Sequence, residues 1–204
     1  MKIPEPTIER LPVYYQCLYR LKENNVVIVS SEEISSRVGV KASQFRKDLS
    51  YFGEFGIQGL GYPVTHLMER IASIMQFDTE HKVAICGAGH LGYALARFPG
   101  FAKWGFKISH VFDKDPAIIG KKIGDVVVED INLLPYDLKV PMGILTVPAS
   151  VAKETASLLI KSEVNAILNF TGVKLDIPES VVVRNVDISH ELAVLNFHLM
   201  GKPQ

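Results

Sequence analysis

The chain has 204 residues, and at roughly 150 residues per domain it has room for one or two domains, each able to bury its own core. Apolar residues make up 48%, aromatics 9% and charged residues 22%, near the globular averages, which excludes disordered, collagen-like and low-complexity classes. Lys plus Arg number 22 and Asp plus Glu number 22, so overall charge points to no nucleic-acid partner, and any such signal must be local. The longest apolar runs fall far short of the roughly 20 residues of a membrane span. The stretch MKIPEPTIERLP carries prolines and acids where a secretory leader would be apolar. The expectation is a cytoplasmic protein with no membrane partner. Cys17 and Cys86 stand in apolar surroundings without CxxC or Cys/His spacing, which fits buried thiols in a reducing compartment and predicts no metal site.

Near residue 80 helical periods give way to short β-branched runs alternating with helices, which predicts two domains joined around Gln76 to His81. In the first, a helix opens at Pro6-Thr7 and carries Leu11, Tyr14, Leu18 and Leu21 on one stripe. Asn24-Asn25 ends it, and Val26 to Val29 is a short extended stretch. Ser30 as N-cap with Glu33 at the third helical position forms a capping box for a second helix, which Gly39 stops. A third, Lys41 to Phe52, turns Phe45, Leu49 and Phe52 inward and Ser43, Arg46, Lys47 and Ser50 outward. Gly53 to Tyr62 holds four glycines among aromatic and aliphatic residues, a pattern for a tight two-stranded ribbon. A long helix follows, Val64 to Met75.

Short helix, turn, then a helix with a polar and cationic face is helix-turn-helix order, and the ribbon behind it has the place of a wing. Ser43, Gln44, Arg46, Lys47, Ser50 and Tyr51 are the candidates for base and phosphate contact, because small polar residues approach base edges while Arg and Lys take phosphates and guanine. The alternative is a three-helix packing module with an ordinary solvated face.

The second segment opens with a buried strand, Val83 to Cys86, running directly into Gly87-Ala88-Gly89-His90-Leu91-Gly92 and a helical pattern through Arg97. In this strand–glycine–helix context the first glycine permits the turn. The second lets backbone approach a pyrophosphate, and the third lets helix pack on strand. A second strand, Lys107 to Phe112, ends in Asp113, twenty-one residues beyond Gly92. An acid at that distance accepts from ribose hydroxyls and repels a 2′-phosphate, which favours NAD over NADP. Strands at Met142 to Val147, Ala166 to Phe170 and Val181 to Val186, with a helix at Val151 to Lys161, predict a mostly parallel sheet covered on both faces. Val147-Pro148, Asn169-Phe170 and Asp187 stand at strand ends, where ligands lie; Asn169 as a turn cap and Asp187 as the N-cap of the last helix are the simpler roles. That helix, Ile188 to Met200, is apolar on more than one face, so it either sits deep in its own domain or inserts between subunits.

A dehydrogenase needs a proton donor beside the hydride acceptor, yet no histidine stands with a carboxylate at the end of a late strand, and the nucleotide fold uses up the remaining chain. A cofactor bound but not consumed, beside a DNA-reading module, describes a sensor. A small NAD-dependent oxidoreductase and a CoA- or nucleotide-binding module are the competing readings.

The segments QFRKDLSYFGEFG (44–56), GLGY (59–62), GAGHLG (87–92), FPGF (98–101), FDKDP (112–116) and ILNF (167–170) resemble, in order, signatures of the redox-sensing transcriptional repressor Rex family. The resemblance implies an N-terminal winged helix-turn-helix domain (1–78), a Rossmann-type NAD(H)-binding domain (79–186) and a C-terminal dimerisation helix (187–204) swapped onto the partner. It further implies a homodimeric repressor, not an enzyme, that binds a palindromic operator and releases it when NADH rises. Carried over by position, Gln58, Gly59 and Tyr62 of the wing join the DNA contacts. Lys114 and Phe98 join Gly87 to Gly92, Asp113, Val147, Pro148, Asn169, Phe170 and Asp187 around NADH. The chain departs from the family pattern at Ile57-Gln58, where a Lys-Arg pair is usual, at Phe98, where relatives often have Tyr, and at Gln16, where some have an Arg facing the acid that matches Asp187. The first change weakens phosphate attraction, and the last removes a charge switch through Asp187.

Overall fold

The computed structural model describes residues 3–135 and 138–200, and the chain divides into two compact units, Met1–Thr79 and Glu80–Gln204. Of the predicted C-terminal segment 187–204, residues 201–204 lie outside the described residues.

The first unit contains α1 (Glu5–Glu23), β1 (Ile28–Val29), α2 (Ser31–Val38), α3 (Ala42–Ser50), β2 (Tyr62–Pro63) and α4 (Val64–Met75). The predicted α1 stripe is buried in full, and with Ile34, Phe45, Leu49, Val64, Leu67 and Ile71 it makes one core. The Ser30 hydroxyl accepts from the Glu33 N–H at 3.0 Å, while the Glu33 carboxylate turns to Arg37 at 3.0 Å, so only half of the expected capping box forms. Gly39, at φ +74°, ends α2 in the left-handed region.

The glycine-rich stretch does not form the expected two-stranded ribbon. It holds one antiparallel bridge, Ile57 to Gly61, and the chain leaves it as β2, which pairs instead with β1 (Ile28 with Pro63, Val29 with Tyr62). Four glycines supply few cross-strand side-chain pairs, whereas the Tyr62 ring packs edge-on against buried Phe45 at 5.3 Å and gives β2 its own hold on the core. Gly61 has φ +108°, and a Cβ there would lie 2.7 Å from the Val29 carbonyl oxygen.

The second unit contains β3 (His81–Cys86), α5 (His90–Ala96), β4 (Phe106–Asp113), β5 (Lys122–Ile123), β6 (Val126–Asp130), β7 (Met142–Leu145), α6 (Ala152–Lys161), β8 (Ala166–Asn169), β9 (Val182–Asn185) and α7 (Ile188–Leu199). Its seven-stranded sheet has the order β5-β6-β4-β3-β7-β8-β9, parallel except for the β5–β6 hairpin. Sequence reading missed that hairpin because β5 is two residues long, too short for a period to register. From β3 the chain first builds outward through β4 and β6, then crosses to β7 on the other side, so a topological switch point lies between β3 and β7.

On one face α6 lays Ala152, Ala156 and Leu159 over Ala84, Cys86, Leu145 and Ile167. The opposite face, packed against Leu95 and Phe101 near its centre, keeps an open apolar groove of about 330 Å³ lined by Ile108, Met142, Ile144, Leu168 and Val182 among others. Cover on both faces, as expected, is therefore incomplete. α7 does not supply it: none of its residues is buried, and Leu192, Leu195 and Phe197 are 62%, 58% and 57% exposed. Of the two expectations for this helix, burial deep in its own domain is not met.

Candidate functional site

The switch point holds a cradle built from backbone. At the end of β3, Gly87 turns with φ +101°, and a Cβ there would sit 2.7 Å from the Thr146 carbonyl oxygen. A Cβ on Gly92 would lie 1.8 Å from the Gly87 carbonyl oxygen, so α5 meets the loop backbone to backbone and no larger residue fits. Gly89 has nothing within 4 Å of where its side chain would be, which leaves its backbone open to a ligand. Thr146 pins the turn from the β7 side, its hydroxyl donating to the Gly87 carbonyl at 2.8 Å. Asp113, at the end of β4, accepts from the Ala88 N–H at 2.6 Å and from the Asp115 N–H at 2.9 Å, so its carboxylate is tied to the glycine loop it must serve.

Around this cradle opens a cleft of about 910 Å³, large enough for a nucleotide. Of the predicted residues, Gly87, Gly89, Asp113, Lys114, Val147 and Pro148 line it. Sequence reasoning missed the walls: Ile118, Ile131, Val151 and Leu158 are apolar, and Asn132, Glu154 and Thr155 are polar. The signal was present at Val151, Thr155 and Leu158, whose spacings of four and three put them on one helical face. Apolar walls suit a planar ring, while backbone N–H groups and one carboxylate suit phosphate and hydroxyl groups. Beneath the loop, complete burial pushes the Cys86 thiol up to about 12, consistent with an inert structural thiol.

The other predicted residues lie outside this lining. Ala88 and Gly92 are buried behind it, while His90 and Leu91 lead α5 on an exposed side. Phe98 is 54% exposed and stacks edge-on to Phe101 at 5.2 Å. Asn169 is buried and its amide is fully engaged: nitrogen donates to the Val173 carbonyl and the Asn185 side chain, and oxygen accepts from the Thr171 N–H and hydroxyl. It is a turn cap. Phe170 packs half-buried on the core. The Asp187 carboxylate accepts from the Ser189 and His190 N–H groups at 2.9 and 3.2 Å and caps α7.

In the first unit Ser43, Arg46, Lys47, Ser50, Gln58 and Gly59 are exposed, and Gln44, Tyr51 and Tyr62 are half-buried. A shallow groove of about 560 Å³ between α3 and residues 53–62 gathers Arg46, Ser50, Gln58, Gly59 and Tyr62; Ser43, Gln44, Lys47 and Tyr51 are not in its lining. Behind α3 lies a group that sequence reasoning missed. Asp48 is fully buried and accepts from Thr7 (2.9 Å), Arg10 (2.6 and 2.8 Å), Tyr14 (2.7 Å) and Gln44 (2.9 Å). Burial alone would raise its pKa, but the hydrogen bonds from Arg10, Tyr14, Gln44 and Thr7 outweigh it and hold the carboxyl at about 2. One carboxylate thereby ties α1 to α3 and takes the Gln44 amide nitrogen. Its signal was its spacing from Phe45 and Phe52, which places an acid on the apolar face.

Among the described residues no group of three or more His, Cys, Asp or Glu is placed to hold a metal, and no helix is long and apolar enough to cross a membrane. Fold and cleft together define a two-domain protein in which a helical module of helix-turn-helix order is joined to a Rossmann-type nucleotide domain. Residues 2–50 match the family model described as "Putative DNA-binding protein N-terminus", and residues 78–173 match "CoA binding domain". The chain is 46% identical to the redox-sensing transcriptional repressor Rex of Pelotomaculum thermopropionicum, over 99% of this chain and 96% of that one. It is 44% identical to the redox-sensing transcriptional repressor Rex 1 of Thermotoga maritima, over 98% of each. Among solved structures it is similar to RSP in complex with beta-NAD+ and operator DNA (TM-score 0.92, 38% identity, 98% of this chain and 93% of that one). It is also similar to RSP in complex with beta-NADH (TM-score 0.89, 36% identity, 98% and 95%). The chain belongs to the redox-sensing transcriptional repressor Rex family.

Proposed function

We propose that this chain is a transcriptional repressor whose second unit binds NAD(H) without consuming it and whose first unit binds operator DNA, releasing it when NADH is bound. The observation that carries this reading is the Gly87–Gly92 cradle, too tight for any Cβ at its first and third glycines, opening on a cleft that Asp113 also lines. Gly87 to Gly92 hold the pyrophosphate, Asp113 takes the adenosine ribose with Lys114 beside it, and Val151, Leu158 and Ile131 flank the adenine. Val147 and Pro148 lead toward the nicotinamide, with Phe98, Asn169, Phe170 and Asp187 around it. The reduced ring is neutral and the oxidised ring cationic, so burial against Phe98 and Phe170 favours NADH by the desolvation cost of the charge, provided the Asp187 carboxylate stays turned to the α7 N–H groups. On the DNA side, Ser43, Gln44, Arg46, Lys47, Ser50 and Tyr51 meet the duplex from α3, with Gln58, Gly59 and Tyr62 beside them. Relatives named as repressors, and RSP structures that hold either coenzyme form, support a regulator over an oxidoreductase.

A homodimer completes the reading. The apolar faces of α7 and the open groove on the sheet are two unburied surfaces of one unit, and exposed apolar surface on this scale marks an interface. A second copy covers both, and its two-fold symmetry matches a palindromic operator. The "CoA binding domain" match favours CoA as a second ligand class. The Asp113 carboxylate opposes it, since the ribose of CoA carries a phosphate.

The test is operator binding at one fixed salt concentration with NADH and NAD+ titrated separately. NADH should release the duplex at concentrations where NAD+ does not. Equal effects of the two would reject redox sensing, and displacement by CoA alone would move the ligand to the second class.

A further inference from the structure

Arg46 projects from α3 but does not stand free. Its Nη1 donates to the Ser31 hydroxyl at 2.8 Å and to the Glu32 carboxylate at 3.1 Å, and the Ser31 hydroxyl donates to the other Glu32 oxygen at 3.0 Å. The three side chains close a ring across the start of α2 and the middle of α3. Ser31 is 8% exposed, so the hinge of the ring is fixed by packing. Arg46 and Glu32 keep side-chain exposures of 52% and 70%, and both line the groove that also holds Gln58 and Tyr62. Hydrogen bonds from its own backbone, from Ser31 and from Arg46 hold the Glu32 carboxyl below the usual range.

An exposed ion pair of this kind contributes little to stability, so stability does not explain a carboxylate placed on a face that must approach phosphates. The ring occupies Nη1 and leaves the Nε–Nη2 edge of the guanidinium, the planar fork that meets guanine or phosphate in bidentate fashion. It also cancels the Arg46 charge locally, which lowers the sequence-independent attraction to any duplex.

We propose that Glu32 is a specificity-determining residue: acting through Arg46, it fixes the guanidinium edge that faces DNA and removes charge that would otherwise favour random sequence. This rests on α3 being the DNA face, as proposed above. The chemistry recognised is an acceptor pair on a base edge or phosphate, presented to an arginine that cannot swing freely.

The full chain tests it with two probes: a duplex selected by the unmodified chain from a randomised pool, and a mixed-sequence duplex of equal length. Glu32→Gln keeps an acceptor for Arg46 but drops the charge; Glu32→Ala drops both. Both variants should bind the mixed duplex several-fold more tightly. Their slope of log K against log salt should steepen by up to about 0.9, one further phosphate. The ratio of selected to mixed affinity should fall about threefold or more, and further in Glu32→Ala. Lys47→Ala, which leaves the ring untouched, reports on the underlying reading and should weaken both probes. If Lys47→Ala weakens binding while both Glu32 variants keep the original slope and ratio, the role of Glu32 is refuted alone. If Lys47→Ala also changes nothing, α3 is not the DNA face and both proposals fall.

Discussion

Replacing Asp48 by Ala probes the buried centre of the first unit. The carboxylate is 0% exposed and takes five hydrogen bonds from four side chains. Its loss strands the Tyr14 and Thr7 hydroxyls in the core and leaves Arg10 without its counter-charge. Removing one partner of a buried pair costs about 3–5 kcal/mol. Arg10 keeps 26% side-chain exposure and regains some water, which places the expected loss near the lower figure, about 3 kcal/mol. The same hydrogen bonds make the contribution depend on pH. Held at about 2 in the fold against an ordinary 3.8, the carboxyl contributes about 2–3 kcal/mol of pH-dependent stability. Because the folded pKa is the lower one, this contribution is complete above about pH 4–5 and disappears as pH falls toward 2. Hydrogen exchange of α1 and α3 amides in the full chain, measured from pH 7 down to pH 2.5, reads both effects. Asp48→Ala should lower their opening free energy by about 3 kcal/mol at pH 7, with the gap to the unmodified chain narrowing below pH 4. A gap under about 0.5 kcal/mol, or one that stays constant through the acid range, would refute the assignment of Asp48 as a net stabilising ion.

Gly92→Ala places a methyl 1.8 Å from the Gly87 carbonyl oxygen. α5 must move, and both a stability loss above the usual 1–3 kcal/mol of overpacking and loss of NADH binding by calorimetry are expected; an unperturbed melt with full affinity would contradict the cradle. Asp113→Ala should weaken NADH by about 1–3 kcal/mol, and unchanged calorimetric affinity would remove the ribose from this position. Leu192→Glu with Leu195→Glu adds charge to residues that are 62% and 58% exposed within their own unit. The double variant should fold but sediment as a monomer at micromolar concentration, whereas a persisting dimer would place the interface elsewhere.

Much of this molecule was legible locally. The Ser30 cap, the Gly39 stop, the span of α4 and the passage from β3 through Gly87 to Gly92 into α5 are each set by neighbours within a few residues, where sterics and capping act. Asp113 is legible over a longer reach, by its spacing of twenty-one residues from Gly92. The residues that reading missed share a different character. β2 pairs with β1 across thirty-odd residues rather than with its nearest glycines, Asp48 collects donors from a helix about forty residues earlier, and Arg46 is held by the start of α2. Residue order within each segment sets which segments become helix or strand, which face of each is apolar, and where the loop must be glycine. Which polar groups meet is settled by packing, because a hydrogen bond between distant residues depends on how packed faces register against one another, and no period along the chain carries that distance.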